Sequence, residues 1–395
     1  MEEANAQKGR HMSVLQRYFA SQIMKAVLFV LMAFLALFAF FDLVGEMNSL
    51  GKGGYKLQHA FIYILLNMPG YIYELMPVAV LIGTIYVLAR FAANSEFTIM
   101  RASSLSTVQA GWMLIKIGVV FLVATLVMGE LITPYSSTKA SEFKSRMMQR
   151  DMRVKSQFRS GIWSKDTLHA NGPGTEVIGS RFINIDGISP DKSVRGICLY
   201  EFDLGQRLRR VVTAKGGRYT GNRIWVLSDV TEEIVTPPKK ASEARFPASA
   251  PEVVTKEHDS MKLVSDLTPD ILSVLAIDAT RMSAYDLLVF NRHLEANKQD
   301  AAAYKIAFWK KIIYPFSVFV MMALALPFAY LHFRSGGISL KIFVGIMIGV
   351  FFILLNSLFS HLGLLNTWPA FLTAVLPSIV FLLFACGALW WVERH

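Results

Sequence analysis

The chain has 395 residues, of which 53% are hydrophobic and only 17% charged, with a formal net charge of +11. That is too much apolar sequence for one soluble core, and it is gathered in blocks, so lipid is the solvent for much of the molecule. The cations sit at the block ends and in the central polar segment without a nucleic-acid-binding motif, which excludes nucleic acid and leaves anionic lipid as the counter-charge.

The first apolar block, Val27 to Val44, follows Lys8, Arg10, Arg17 and Lys25. It is longer than the core of a secretory signal and lacks a small-residue cleavage site, so it reads as a retained helix. Tyr71 to Ala89 and Gly111 to Ile132 come next; after the central segment come Ile312 to Leu331, Ile342 to Leu362 and Pro369 to Trp391. Each is near the roughly 20 residues a helix needs to cross the hydrocarbon layer. With no water there to pair backbone groups, each is predicted helical. Arg90 and Arg101 in the second loop and Arg334 and Lys341 in the fourth, against an uncharged Gly363 to Trp368, place both termini in the cytoplasm and the central segment outside. Lys52 and Lys56 in the first loop run against that balance. Pro69, Pro77, Pro315, Pro327 and Pro377 are expected to kink the spans, or to show only the general tolerance of membrane helices for proline.

The second cytoplasmic loop contains Asn94-Ser95-Glu96-Phe97-Thr98-Ile99-Met100-Arg101-Ala102-Ser103. An N-cap, a first-turn carboxylate, apolar Phe97 and Met100 and a cation one turn later describe a short amphipathic helix between two spans. One reading is a turn resting on lipid headgroups. The other is a coupling helix whose apolar side chains enter a groove on a cytosolic ATPase while Glu96 pairs with a base there.

After Pro134, the residues Lys139, Glu142, Lys144 and Arg146 keep helical character, so the third helix is expected to run out of the membrane. From Gly161 to about Val254 the pattern turns to short strand-like runs, with Gly221-Asn222 as a hairpin signal. Several strands at such spacing point to a β-sandwich or jelly roll. The prolines between Thr236 and Pro251 make that stretch a loop. Thr268-Pro269-Asp270 opens a helical turn, and Ser283 caps an amphipathic helix leading toward the fourth span.

No G-x-x-x-x-G-K-[ST] is present, so any ATP is hydrolysed by another chain. H-E-x-x-H, C-x-x-C and G-x-S-x-G are absent too, and the eight histidines are scattered. His361 reads as interfacial. Cys198 and Cys386 belong to different phases and form no disulfide framework. No catalytic or metal constellation emerges.

Arg17-Tyr18, the Ser95 to Ser103 stretch, Gly129-Glu130 with Pro134, Gly161-Ile162-Trp163, Gln299-Asp300-Ala301, Trp309-Lys310-Lys311 with Pro315, and Leu376-Pro377-Ser378 together resemble the LptF/LptG lipopolysaccharide-export permeases, the G-type subunit more than the F-type. Their order and spacing cover nearly the whole chain. The fold implied is membrane α-helical, with six transmembrane helices and an inserted periplasmic all-β jelly-roll-like domain. Residues 1–134 then hold the cytoplasmic N-terminus and helices one to three, 135–265 the β domain, 266–308 periplasmic connecting helices, and 309–395 helices four to six.

The resemblance further implies a Gram-negative inner membrane and a heterodimer with an F-type permease. A cytosolic ABC ATPase dimer would hold the ATP and magnesium, this chain binding no cofactor, and periplasmic bridge proteins would receive the lipopolysaccharide. Helices one and five of such permeases line the cavity, which assigns Phe34, Phe38, Phe41, Phe351, Phe352, Leu355 and Phe359 to acyl chains, or simply to lipid and helix contacts. Lys139, Lys144, Arg146, Lys305, Lys310 and Lys311 are placed at the outer rim for the substrate's phosphates, Lys144 and Lys311 foremost, or are ordinary interface anchors. Helix one departs from the family pattern: it ends in Asp42, Glu46 and Asn48 where relatives carry lysines, so a headgroup contact there would need a divalent cation. Glu74 and Glu130, toward the outer ends of helices two and three, either pair with the rim lysines or reach water. Two rivals stand beside the permease. One is a membrane-anchored adaptor or sensor with a ligand-binding β domain, for which six spans are excessive; the other is an intramembrane enzyme, which lacks a catalytic constellation.

Overall fold

The computed structural model describes residues 2–102, 106–148, 162–169, 177–189, 193–236, 252–265, 267–269, 272, 279–296, 299–330, 337–366 and 368–394. Among them, six helical stretches are long and apolar enough to cross a membrane: Gln16–Ser49, Leu57–Ala93, Thr107–Lys144, Ala302–Ala329, Ile338–Leu365 and Ala370–Val392. The six predicted spans are all present; the first, second, third and fifth extend beyond both predicted ends, the fourth starts earlier and ends at Ala329, and the sixth is shifted by one residue.

Helix α1 (Glu2–Glu46) is unbroken, and two 3-10 turns lead to α2 (Leu57–Ala93). The short α3 (Glu96–Ala102) joins α2 to α4 (Thr107–Val127), whose start is fixed by a reciprocal cap between Ser106 and Gln109. A π-helical turn, Met128–Ile132, carries α4 into α5 (Thr133–Met147), so the third helix does run on past its apolar stretch. After the sheet come α6 (Ala284–Ala296), α7 (Ala302–Ile313), α8 (Ser317–Ala325), α9 (Ile338–Leu365) and α10 (Ala370–Arg394). The expected irregularity at Pro315 and Pro327 is local: each sits in a 3-10 turn, Tyr314–Phe316 and Leu326–Ala329, flanking α8.

Helix α2 is the mast of the bundle. Helices α1 and α9 both pack on it, α1 through Val27 against Gly83 and α9 through Gly349 against Val78. Position 83 has to be glycine, because a Cβ there would lie 2.8 Å from the Val27 backbone nitrogen.

Among the described residues the inserted domain is a six-stranded antiparallel sheet in the order β1-β2-β3-β4-β5-β6: β1 (Ile162–His169), β2 (Val177–Ile188), β3 (Val194–Asp203), β4 (Leu208–Gly221), β5 (Ile224–Thr236) and β6 (Glu252–Val264). Alternate residues, among them Ile183 and Ile185, Ile197 and Leu199, Val212 and Ala214, Trp225 and Leu227, fill one core with Leu267 and Leu272. The β4–β5 hairpin turns at Gly221, Asn222 and Arg223, all with positive φ, as the Gly-Asn signal required.

The connections are those of a meander, and the sheet curls on itself. Arg181 of β2 donates to the Val264 carbonyl at the end of β6 (2.9 Å), and the Ser265 hydroxyl donates to Asp166 of β1 (2.7 Å). A ladder of ion pairs crosses the first five strands, Asp166 to Arg181 at 3.7 Å, Arg181 to Glu201 at 2.8 Å, Glu201 to Arg210 at 3.6 Å and Arg210 to Glu232 at 2.6 Å, and a hydrogen bond between Glu232 and the His258 ring at 3.0 Å carries it to the sixth. Opposite charges facing across neighbouring strands fix the register independently of the apolar core. β6 was not legible as a strand, and the proline-rich loop expected before it lies outside the described residues.

Candidate functional site

Three places hold the residues singled out by sequence. The first is the end of the bundle from which the sheet emerges, which is rich in charge but largely self-neutralised. Lys144, in the last turn of α5, sits 2.5 Å from Glu46 of α1 and 4.6 Å from the centre of the Tyr63 ring. One turn earlier on α1, Asp42 accepts hydrogen bonds from the Tyr71 hydroxyl at 2.8 and 2.9 Å. The acids that depart from the family pattern therefore face this chain's own lysine and tyrosine. Nearby Tyr55 is buried, and burial first, then the Glu46 charge, pushes its hydroxyl well above the ordinary tyrosine range. Lys139 pairs with Glu142 at 3.4 Å and Lys305 with Glu295 at 2.7 Å, while Arg146 is exposed.

Lys310 and Lys311 differ from that pattern. Lys310 reaches across to α9 and donates to the Ser360 hydroxyl at 2.9 Å. Lys311 is only 4% exposed: it lies 4.6 Å from the Tyr73 ring centre and donates to the Thr280 carbonyl at 3.4 Å. Its seat on Tyr73 is ten residues along α2 from the Lys144 seat on Tyr63, roughly 15 Å at 1.5 Å per residue. Lys144 and Lys311, the two foremost head-group candidates, are therefore not side by side.

One polar group escaped the sequence reading. Asn67 on α2 accepts a hydrogen bond from the Arg281 guanidinium, and it donates to the Tyr63 carbonyl at 2.9 Å. The signal was available, since an asparagine inside an apolar span is costly unless partnered. Glu130, in the π-turn and expected to pair with a rim lysine or reach water, accepts from the Ala284 backbone N–H at 2.8 Å, at a helix N-terminus.

The second place is the pair of helices α1 and α9. Phe34 and Phe38 are half-buried against the core, Phe38 with its ring 5.2 Å from Tyr71, and Phe41 is exposed. On α9, Phe351 is 50% exposed, whereas Phe352 is 1% exposed, locked between Tyr314 and Phe381. Phe352 is thus a packing residue, because the helix turns adjacent positions about 100° apart. Leu355 packs partly on the core, and Phe359 lies near Trp368. Phe41 and Phe351 are the most accessible of the seven.

The third place is α3, at the opposite end. Phe97 is 2% exposed and meets the Tyr330 ring edge-on at 5.0 Å, and Met100 packs on the same core. The apolar face of this helix is spent on its own bundle, which corrects the expectation that Phe97 enters another chain. The large apolar residue on the outer face is Ile99, 65% exposed. Glu96 accepts from the Tyr18 hydroxyl at 3.2 Å and from the Asn94 amide at 3.1 Å, and Tyr18 stacks on Phe91. The side chain of Arg101 lies outside the described residues.

A family model described as "Lipopolysaccharide export system permease LptF/LptG" matches residues 17–394. The lipopolysaccharide export system permease protein LptG of Escherichia coli K12 is 28% identical over 382 residues, covering 96% of this chain and 98% of the relative. The LptG protein of Haemophilus influenzae is 26% identical over 381 residues, with the same coverage.

Proposed function

This chain belongs to the LptF/LptG family of lipopolysaccharide export system permeases, and we propose that it is one half of a heterodimeric permease that lifts lipopolysaccharide from the inner membrane. Both termini lie in the cytoplasm and the β domain in the periplasm. A separate cytosolic ABC ATPase dimer binds and hydrolyses the ATP; this chain does no covalent chemistry. An F-type permease completes the cavity, and periplasmic bridge proteins take the lipid from it.

The observation that carries this reading is that α1 and α9 flank α2 with broad apolar faces uncovered, including Phe29, Met32, Phe40 and Phe41 on one and Phe343, Met347, Phe351 and Leu354 on the other. A second permease subunit and acyl chains would cover such faces. At the cytoplasmic end, α3 offers Ile99 and Glu96 to the ATPase. Glu96 is already joined to Tyr18, so a push on α3 reaches α1 directly. The two nucleotide states of the ATPase must favour different cavity shapes for the push to move lipid.

The test is coexpression with an F-type partner and the ATPase, then ATP-dependent release of lipopolysaccharide from proteoliposomes to the bridge proteins. Release that needs every subunit is expected, and Glu96→Ala should weaken ATPase binding or leave hydrolysis running without release. A complex that hydrolyses ATP but moves other lipids would change the substrate. Failure to assemble with a verified partner and ATPase would favour the membrane-anchored adaptor.

A further inference from the structure

We infer that residues 279–284, which lead into α6, are held in a fixed polar socket on three membrane helices, so that α6 and these helices move as one body against α9. The socket has three contacts on six consecutive residues. Thr280 receives Lys311 of α7 at its carbonyl, Arg281 donates to Asn67 of α2, and Ala284 donates its N–H to Glu130 of the π-turn at 2.8 Å. Met282, in the middle, is 2% exposed.

Each contact satisfies a group that would otherwise be stranded. Helix α6 caps itself through Ser283 and Asp286, which exchange hydrogen bonds between side chain and backbone. That box does not serve the Ala284 N–H, and Glu130 supplies the acceptor from another helix. The π-turn gives Glu130 its aim, since a wider turn rotates the residues around it. The three seats are also joined to one another. The Tyr73 ring lies against Gly129, where a Cβ would come within 2.5 Å of a ring carbon, and the Lys311 ammonium sits on the same ring. Opening the socket would take partners at once from the half-buried Glu130 carboxylate, the buried Lys311 ammonium and the Asn67 side-chain oxygen, which is why it stays closed.

Helix α9 meets this body differently. It touches α2 through apolar contacts such as Gly349 on Val78 and Gly345 on Ile85, and α7 through the Lys310–Ser360 hydrogen bond. Sliding there strands far less. Glu130 and Lys311 are accordingly positioning residues, distinct from any group that touches substrate.

The inference rests on the transport reading for its purpose, but its geometry is tested without it. With Cys198→Ser and Cys386→Ser as background, spin labels at the exposed positions Tyr285 on α6 and Tyr135 on α5 report the joint in the chain alone in lipid nanodiscs. One narrow distance is expected, broadened by Glu130→Ala and restored by Glu130→Gln, which keeps an acceptor. A broad distribution in the parent, or none of this change in Glu130→Ala, overturns the socket. In the full complex the same distance should hold within about 2 Å between nucleotide-free and vanadate-trapped states, while Tyr285 to Leu358 of α9 shifts. Equal shifts of both distances overturn the one-body inference even where lipopolysaccharide release is normal. Absence of release with an intact joint counts against the transport reading alone. If Glu130→Ala does not fold, the parent distances and Glu130→Gln still decide.

Discussion

The first and second membrane helices are close in length, 34 and 37 residues, yet their surroundings differ sharply: 17% of the most apolar stretch of the first is buried within the chain, against 89% for the second. The helix that is more covered is the less apolar of the two. In water that order would be reversed, because apolar surface seeks the core. In lipid, tails are as apolar as leucine, so burial is decided by close packing and polar contacts instead. Helix α2 carries Asn67, Gly83 and a run of small and branched residues that let neighbours approach; α1 carries large phenylalanines that lipid or a second subunit can cover. The fifth span, 22% buried by the same measure, belongs with the first.

The comparison is sharpest inside one helix. Phe352 and Phe351 are neighbours in α9, but only Phe352 belongs to the α2 side. Phe352→Ala should lower the stability of the isolated chain by about 3–5 kcal/mol, the usual cost of emptying a buried aromatic site. Phe351→Ala should cost under about 1 kcal/mol there. Unfolding of the purified chain in mixed micelles measures both. Near-equal losses would mean that α9 is not seated as described. If the F-type partner covers Phe351, the second substitution gains weight only in the assembled complex.

Next in size is the seam between the two helices compared. Gly83→Val places a side chain against the backbone of Val27, and overpacking of this kind costs about 3 kcal/mol at the upper end of its usual range. Loss of heterodimer assembly with an intact β domain, read by copurification and by proteolysis, is the expected result. Unchanged assembly would show that α1 does not need its present seat on α2.

What was legible in the sequence follows the same division. Six spans and a β insert were legible because length and hydropathy are properties of a segment alone. Ser283 as a cap and Gly221-Asn222 as a turn were legible because their chemistry is local. β6 was not, since residues 253–260 are exposed at every position and carry no alternation. The apolar face of α3 was read correctly as Phe97 and Met100, but periodicity says only that a face exists, not which way it looks; it looks inward, and Ile99 is left outside. The burial of Lys311 was not legible, because sequence distance from a span end does not reveal that its side chain lies against Tyr73 and the Thr280 carbonyl.

The smallest expected effect concerns what holds so poorly covered a helix as α1 in place. Its polar ties lie toward its ends: Tyr18 to Glu96 at one, Asp42 to Tyr71 and Glu46 to Lys144 at the other. The Glu46–Lys144 pair is partly exposed, with side chains 12% and 18% accessible, so desolvation takes back much of what the charges give. A double-mutant cycle with Glu46→Gln and Lys144→Gln should show a coupling of about 1 kcal/mol. The transport consequence is asymmetric. A substrate phosphate that uses Lys144 must compete with Glu46 for it, so Glu46→Gln should tighten lipopolysaccharide retention by the assembled permease and slow its release, whereas Lys144→Gln should weaken retention. Photocrosslinking of bound lipid and the release rate from proteoliposomes separate the two. If both substitutions weaken retention alike, Lys144 serves only to fasten α1 to α5, and the phosphate contact at the rim falls to Arg146.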